Sequence, residues 1–385
     1  MSKIAFFLSG SRAGGGFSHL TSFVENICKL FKNKKNIYFI STNKQLYLDL
    51  LKKKLNVHLY KVSLLERILS KLNKILNLYK FSFNYNFFEK FIKKKKITKL
   101  IFNEPSLYIN FCKNLNFSSY IFNTEIDDVK KFKEFQNGVY ENQRNIITNI
   151  VNYANKILVF TEQNKIDLIE RFNCNSNKIL IQNLIPHLPK LKLKIKKNKN
   201  FQSQNKKKKI INFFYPSQFF EHKNHILIIK IGKILKKRKI KNINFIFSGN
   251  DRGNLKTIQN QIEKYKLDNI IKIVGELSEQ SMILMYKFCD YVINPTFLGR
   301  SSMPLLESFY FKKIIFYNKN ILDKKLLDYV VSIDPYNANN SLNIILRFIS
   351  NKKKINILQK KINNLYKKIC SKEKFNKTIS KIILD

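Results

Sequence analysis

Short apolar runs of strand type alternate with stretches of helical period along nearly the whole chain. Strands are predicted at 4–8, 36–41, 57–62, 99–103, 119–123 and 156–160, and again at 210–215, 243–247, 270–274, 291–293, 314–316 and 330–333. Helical segments separate most of them. That alternation implies parallel sheets with helices on both faces. Between the two series lies KLKLKIKKNKNFQSQNKKKK (190–209), dense in Lys and without a lasting apolar period. It reads as a linker. The expected organisation is therefore two Rossmann-like, doubly wound α/β domains facing a cleft, at 1–189 and 210–385, joined by the Lys-rich linker 190–209. The last helix is placed so that it can pack back on the N-terminal domain.

At 385 residues the chain is long enough for two ordinary domains, and 44% hydrophobic residues are enough for real cores. The formal net charge of +46 points to an anionic partner on its face. Its composition argues against nucleic acid. Eight of the 72 basic residues are Arg and the other 64 are Lys, spread along the chain. Nucleic-acid sites favour the bidentate fork of Arg. The skew towards Lys, Asn and Ile fits an A/T-rich coding sequence. The five Cys (28, 112, 174, 289 and 370) have no metal-ligand or disulfide spacing, which fits a reducing cytosol. No uncharged run reaches the ~18–20 residues of a membrane span. The expected location is cytoplasmic, with contact at the inner membrane face made only from the surface.

Ligands in doubly wound sheets sit at the carboxyl ends of the strands. In the N-terminal half those ends carry Ser41, Thr42, Asn103, Glu104, Thr124, Glu125, Thr161 and Glu162. They line a cleft or cap the helices that follow. After the first strand, Gly14, Gly15 and Gly16 fall in a loop before a helix expected over 17–31, where backbone could approach a ligand closely. The spacing is not the dinucleotide G-x-G-x-x-G. The segment 63–96 has apolar residues at helical period with Arg67, Lys71 and Lys74 between them, then a run of aromatics and Lys. Such a segment can lie on an anionic membrane. The pattern favours the plainer reading, a helix packed on the sheet with its Lys in water.

The stretch NPTFLGRSSMPLLESF (294–309) follows a predicted strand. A polar turn leads to Pro304 in the first turn of an apolar helix that carries one carboxylate, Glu307. Free N–H groups at that helix start, with the helix dipole, make a site for phosphate.

Together these residues resemble a family. YPSQFFEHKNH (215–225), FIFSGN (245–250), the block IKIVGELSEQSMILMYKFCDYVINPTFLGRSSMPLLES (271–308) and IDPYN (333–337) stand in the order found in the retaining glycosyltransferases of group one (family four), which have the GT-B fold. The resemblance is close over about 210–340. It is looser over 1–185, where the glycine turn and ANKILVFTEQNKIDLIERF (154–172) follow the family's order. It implies transfer of a sugar from a nucleotide-sugar donor to a hydroxyl acceptor, a cell-surface glycan or lipid-linked saccharide, with retention. It places such a protein in polysaccharide or lipopolysaccharide biosynthesis. No cofactor or metal is expected, because Lys and a helix dipole can stand in for a divalent cation.

By the resemblance, Lys223 and Glu307 carry the chemistry. Lys223 neutralises the diphosphate, with backbone N–H groups of Ser301, Ser302 and Met303, and Glu307 accepts the ribose hydroxyls. Backbone at Val274, Gly275, Glu276 and Leu277 reads the base. Gly15, Gly16, Gln218, Asn224, Gly249, Gly299 and Arg300 complete the expected donor contacts. Three positions depart from the family pattern. The first Glu of E-x7-E is Gly299. The Arg five residues before the diphosphate Lys is Gln218, which leaves Arg300 as a helper. The N-terminal His-Asp pair is replaced by FNTEID (122–127). His222 is the His nearest the expected site, and the other four are expected on helix or strand surfaces. Two other readings stay open: an inactive or non-transferring sugar-nucleotide protein of the same fold, and a basic nucleic-acid-binding protein.

Overall fold

A computed structural model describes residues 3–8, 14–31, 35–76, 86–182, 184–187, 210–300 and 302–384. They divide into two compact units, Met1–Ile185 with Cys370–Asp385, and Pro186–Ile369. The Lys-rich stretch 190–209 lies outside the described residues, as does Ser301.

In the N-terminal unit, strands and helices follow as β1 (Ile4–Leu8), α1 (Gly14–Leu30), β2 (Ile37–Ser41), α2 (Lys44–Lys52), β3 (Val57–Leu59), α3 (Leu64–Leu76), α4 (Phe87–Lys94), β4 (Lys99–Phe102), β5 (Phe117–Tyr120), α5 (Val139–Tyr153), β6 (Lys156–Val159), α6 (Glu162–Phe172) and β7 (Ile179–Ile181). The seven strands pair in the order β3-β2-β1-β4-β5-β6-β7, and every pairing is parallel. β1 is buried along its whole length, as a central strand covered on both faces must be. Phe6 on it packs between Phe23 of α1 and Phe39 of β2. The C-terminal helix Lys372–Leu384 belongs to this unit. Phe375 meets Phe23, and Lys99 donates to the carbonyls of Ile382 and Ile383 at 3.1 and 2.9 Å. A cation at those last carbonyls answers the negative end of the helix.

The other unit runs β8 (Ile211–Pro216), α7 (His225–Lys237), β9 (Ile243–Ser248), α8 (Leu255–Lys264), β10 (Ile271–Ile273), α9 (Glu279–Phe288), β11 (Tyr291–Asn294), α10 (Met303–Tyr310), β12 (Ile315–Asn318), β13 (Val331–Ile333), α11 (Ala338–Ile349), α12 (Lys352–Ile362) and α13 (Leu365–Ile369). Its sheet order is β10-β9-β8-β11-β12-β13, again all parallel. Relabelled from the first strand, this is the Rossmann order 3-2-1-4-5-6. Phe213, Phe245, Tyr291 and Phe316 form an aromatic layer across four neighbouring strands.

Several expectations need correction. The three glycines are not a loop: α1 starts at Gly14, so they form its first turn. The strand expected at 119–123 is β5, which starts two residues earlier and ends at Tyr120. β7 was not expected; it is a three-residue edge strand, too short to show a pattern. β3 ends at Leu59, short of the expected 62. The larger surprise is α3. It does not lay its apolar face on the sheet. Glu66 and Asn73 face inward, while Leu64, Leu65, Ile68, Leu72 and Ile75 are exposed. Glu66 is held by the hydroxyl of Tyr60, which donates to its Oε2 at 2.7 Å. Residues 77–85 of the segment 63–96 lie outside the described residues.

Candidate functional site

In the C-terminal unit the chain order reverses between β8 and β11, which lie side by side. The connections leaving them diverge there and open a crevice at the carboxyl ends, the usual ligand position of such a sheet. β8 ends at Pro216 and leads through a tight turn, Glu221–Lys223, into α7. Asn224 joins turn to helix in the left-handed conformation (φ 58°), which Asn tolerates. β11 ends at Asn294 and leads to α10. The two loops are stitched together. Phe297 N–H donates to His222 O at 2.9 Å, and the Asn224 amide donates to Pro295 O at 3.3 Å and Pro335 O at 2.9 Å. The Tyr215 hydroxyl donates to Lys223 O at 2.5 Å. The backbone that carries Lys223 is thus fixed from both sides.

Of the HKNH segment, three side chains pack inward. His222 is buried against Phe220. Asn224, expected among the donor contacts, has its amide on two carbonyls. His225 is buried among Tyr215, Phe219 and Phe247, and burial holds its pKa at about 3, so it is neutral. Lys223 is half-buried and is the cation the segment carries to this edge.

Across the crevice, Ser302 precedes α10 but does not cap it with its side chain. Its Oγ accepts from the Asn294 amide at 3.2 Å and lies 3.1 Å from the Tyr317 hydroxyl, which also donates to Gly299 O at 2.7 Å. Pro304 stands in the first turn, as expected, where its missing N–H costs nothing. This helix start has no side-chain cap, and its dipole favours an anion. One turn on, Glu307 Oε2 accepts from the Tyr286 hydroxyl at 2.7 Å. Tyr286 is fully buried, stacked on Phe311 and edge-on to Phe214. Burial pushes the Glu307 carboxyl up to about 6, and the Tyr286 hydrogen bond opposes that rise. Tyr286 and Tyr317 were both missed from sequence. The only signal was a phenol on the buried face of an apolar helix and another in an apolar strand.

Gly299 has φ +102°, a conformation that side chains avoid. A glutamate placed here would be strained in this backbone conformation. Arg300, expected as a helper at the diphosphate, is buried, and its Nη1 donates to Ile321 O at 3.4 Å. Met303 is buried in the first turn of α10.

On the other side of β8, Gly249 N–H donates to Gly275 O at 2.9 Å, and Ser217 N–H donates to Ser248 O at 2.8 Å. A Cβ on Gly249 would stand 2.3 Å from Ser217 O, so only glycine lets the β8 and β9 turns approach this closely. Val274 and Glu276 are exposed, and Gln218, Gly275 and Leu277 are partly so. One carboxyl edge therefore carries Gln218, Lys223 and Asn224, with Gly249 and 274–277 to one side and Gly299, Arg300 and 302–307 to the other. Gly15 and Gly16 belong to the other unit, in the first turn of α1.

The N-terminal unit treats the same edge differently. Thr124 Oγ1 donates to Asp167 Oδ2 at 2.7 Å and accepts from the Asn164 amide at 2.8 Å. Thr161 caps α6 and donates to Asn164 Oδ1 at 2.8 Å. Ser41 Oγ accepts from Asn43 N–H at 3.0 Å. Of the residues expected to line a cleft or cap the following helices, Thr161 is a cap, Thr124 bonds residues of α6, and buried Asn103 Oδ1 at the end of β4 has no hydrogen-bond partner among the described residues. His19, expected on a helix surface, is buried among Phe23, Tyr120, Phe122 and Phe160, and burial lowers its pKa to about 4. Among the described residues no group of three or more His, Cys, Asp or Glu could hold a metal ion.

Residues 196–367 match the family described as glycosyl transferases group 1. No curated protein matches the sequence. Similar solved structures include a glycosyltransferase from Rickettsia africae ESF-5 (14% identity, 99% of this chain and 97% of that chain, TM-score 0.67). Another is HepE of Anabaena in complex with UDP-glucose (13% identity, 100% and 99%, TM-score 0.71). A third is the lipopolysaccharide outer core galactosyltransferase WaaB in its apo form (15% identity, 98% and 99%, TM-score 0.62).

Proposed function

We propose that this chain, a GT-B fold whose residues 196–367 match the group 1 glycosyl transferases, moves a sugar from a nucleotide-sugar donor to a hydroxyl acceptor with retention at the anomeric carbon. The observation that carries the reading is the start of α10. It has no side-chain cap, it lies beside the strand switch that also carries Lys223, and a carboxylate follows one turn later. A donor diphosphate suits that start, since N–H groups and dipole favour anions and Lys223 adds a point charge. Glu307 accepts the ribose hydroxyls through the oxygen that Tyr286 does not hold. The backbone of 274–277 lies at the same edge, where it can read the base.

As the bond from the anomeric carbon to the diphosphate oxygen breaks, negative charge grows on the leaving group. Lys223 and the α10 start stabilise it there, in the role a divalent cation would otherwise fill. The acceptor oxygen attacks from the face the leaving group vacates, and its proton passes to the departing phosphate oxygen. UDP-glucose in the Anabaena structure makes uridine donors the first to try. The WaaB description favours a saccharide acceptor, lipid-linked or on the cell surface. A non-transferring relative is the second reading, favoured by Gly299 and its glycine-only backbone.

The test is incubation with nucleotide sugars and saccharide acceptors, following nucleoside diphosphate release and the product anomer by NMR. Release that needs acceptor, with the donor's anomeric configuration kept, is expected. Release without acceptor would favour the second reading, and an inverted product would remove the retaining mechanism.

A further inference from the structure

α3 is amphipathic but packed the wrong way round for a core helix. At about 100° per residue, Leu64, Leu65, Ile68, Leu72 and Ile75 fall within about a third of the circumference. That stripe is exposed, with Leu64 74% accessible and Ile75 58%. The opposite face turns inward, where Glu66 is 2% accessible and Asn73 is 7%. Arg67 and Lys71 are exposed along one flank of the stripe, and Lys61 is exposed just before the helix. A continuous apolar stripe on a surface helix has a hydration cost that scattered apolar residues do not, and it marks a contact surface.

We propose that α3 is a docking surface for an anionic lipid bilayer, lying in the plane of the interface with its stripe among the acyl chains and Arg67 and Lys71 at the headgroups. Three observations select this occupant. The stripe is bordered on one flank by cations, as in helices that lie in an anionic interface. The chain carries +46, which an anionic leaflet attracts over its whole surface. A second copy of the chain fits poorly in an antiparallel pair, because that two-fold sets Arg67 and Lys71 of both chains on the same side. No helix among the described residues is long and apolar enough to cross a membrane, so such contact is made from the surface. The surface lies in the N-terminal unit and rests on none of the transfer chemistry.

The test is co-sedimentation of the full chain with vesicles of phosphatidylcholine alone and of phosphatidylcholine with phosphatidylglycerol. With 64 Lys, non-specific adsorption is the natural competitor, so two kinds of variant are compared. The triple variant Leu65→Ser, Ile68→Ser, Leu72→Ser changes no charge and alters only exposed positions. Arg67→Gln with Lys71→Gln removes two flanking cations, and Lys353→Gln with Lys360→Gln removes two exposed cations from α12. Melting temperatures establish that each variant is folded. The parent is expected to bind anionic vesicles, the serine variant at least tenfold more weakly, and the α3 charge variant more weakly than the α12 one. Equal binding by parent and serine variant, or equal loss in the two charge variants, would overturn the proposal in favour of plain adsorption. Failure of the parent to bind, or equal binding to neutral vesicles, would also overturn it. So would a dimer by size exclusion that the serine variant abolishes, which would make a second copy the occupant.

Discussion

The two units share a parallel sheet and a strand switch, yet the side-chain hydrogen bonds at their carboxyl edges are arranged differently. In the N-terminal unit Thr124, Thr161, Asn164 and Asp167 bond one another, while buried Asn103 Oδ1 and His19 Nε2 have no hydrogen-bond partner among the described residues. In the C-terminal unit a helix starts without a side-chain cap, and a carboxylate is held by one oxygen only. Polar groups that bond each other add stability. Under the proposed function, polar groups that face a donor add affinity instead. On that reading, the same topology supports a largely self-bonded edge and a donor-binding edge, and the difference lies in where the side-chain hydrogen bonds end.

The largest expected effect comes where the binding edge depends on shape. Gly249→Ala drives a Cβ into Ser217 O and should cost about 3 kcal/mol or more, lowering the melting temperature and donor binding together. Next comes the self-bonded edge. Asp167→Ala leaves the buried Thr124 hydroxyl without its acceptor and should cost about 2 kcal/mol of stability. Urea unfolding measures that cost, and donor affinity of the folded protein should stay at the parent value. A loss of affinity without a loss of stability would break the contrast between the edges.

Glu307→Gln reverses that pattern. It keeps an acceptor for Tyr286 but removes the charge, and should weaken donor binding by about 1–2 kcal/mol, read by calorimetry, with stability little changed. The smallest effect is on pH. The Glu307 carboxyl is raised to about 6, so it protonates in the folded protein as pH falls through that value. Donor affinity should fall with it. A raised carboxyl also means that ionisation works against folding, so its drag on stability appears as pH rises from the ordinary carboxylate value through about 6. Tyr286→Phe removes the bond that opposes the rise and should move the affinity midpoint upward. A midpoint that does not move would separate Tyr286 from the titration.

The sheets were legible because central parallel strands are apolar runs, as in β1 and the first three residues of β12. β7 was not, since three residues at an edge carry no period. In α10 the Pro and the carboxylate were legible, and so was the turn before them. Tyr286, the partner of Glu307, is 21 residues away, and nothing in local spacing points to it. The Gly299 backbone was hidden for a similar reason: a glycine in a turn does not reveal the sign of its φ. α3 shows the limit most clearly. Periodicity locates an apolar stripe but does not say which way it faces, and here inward Glu66 and Asn73 turn it out.

The most direct test of the binding edge is a thermal-shift comparison of nucleoside diphosphates and nucleotide sugars with inorganic tripolyphosphate, at moderate salt. A ligand that binds only the folded chain raises its stability by mass action. One base is expected to give a shift that tripolyphosphate does not, and Glu307→Gln should reduce it. Equal shifts for every polyphosphate, unchanged in Glu307→Gln, would mean that a Lys-rich surface collects anions and that the β8–β11 edge is not a donor site.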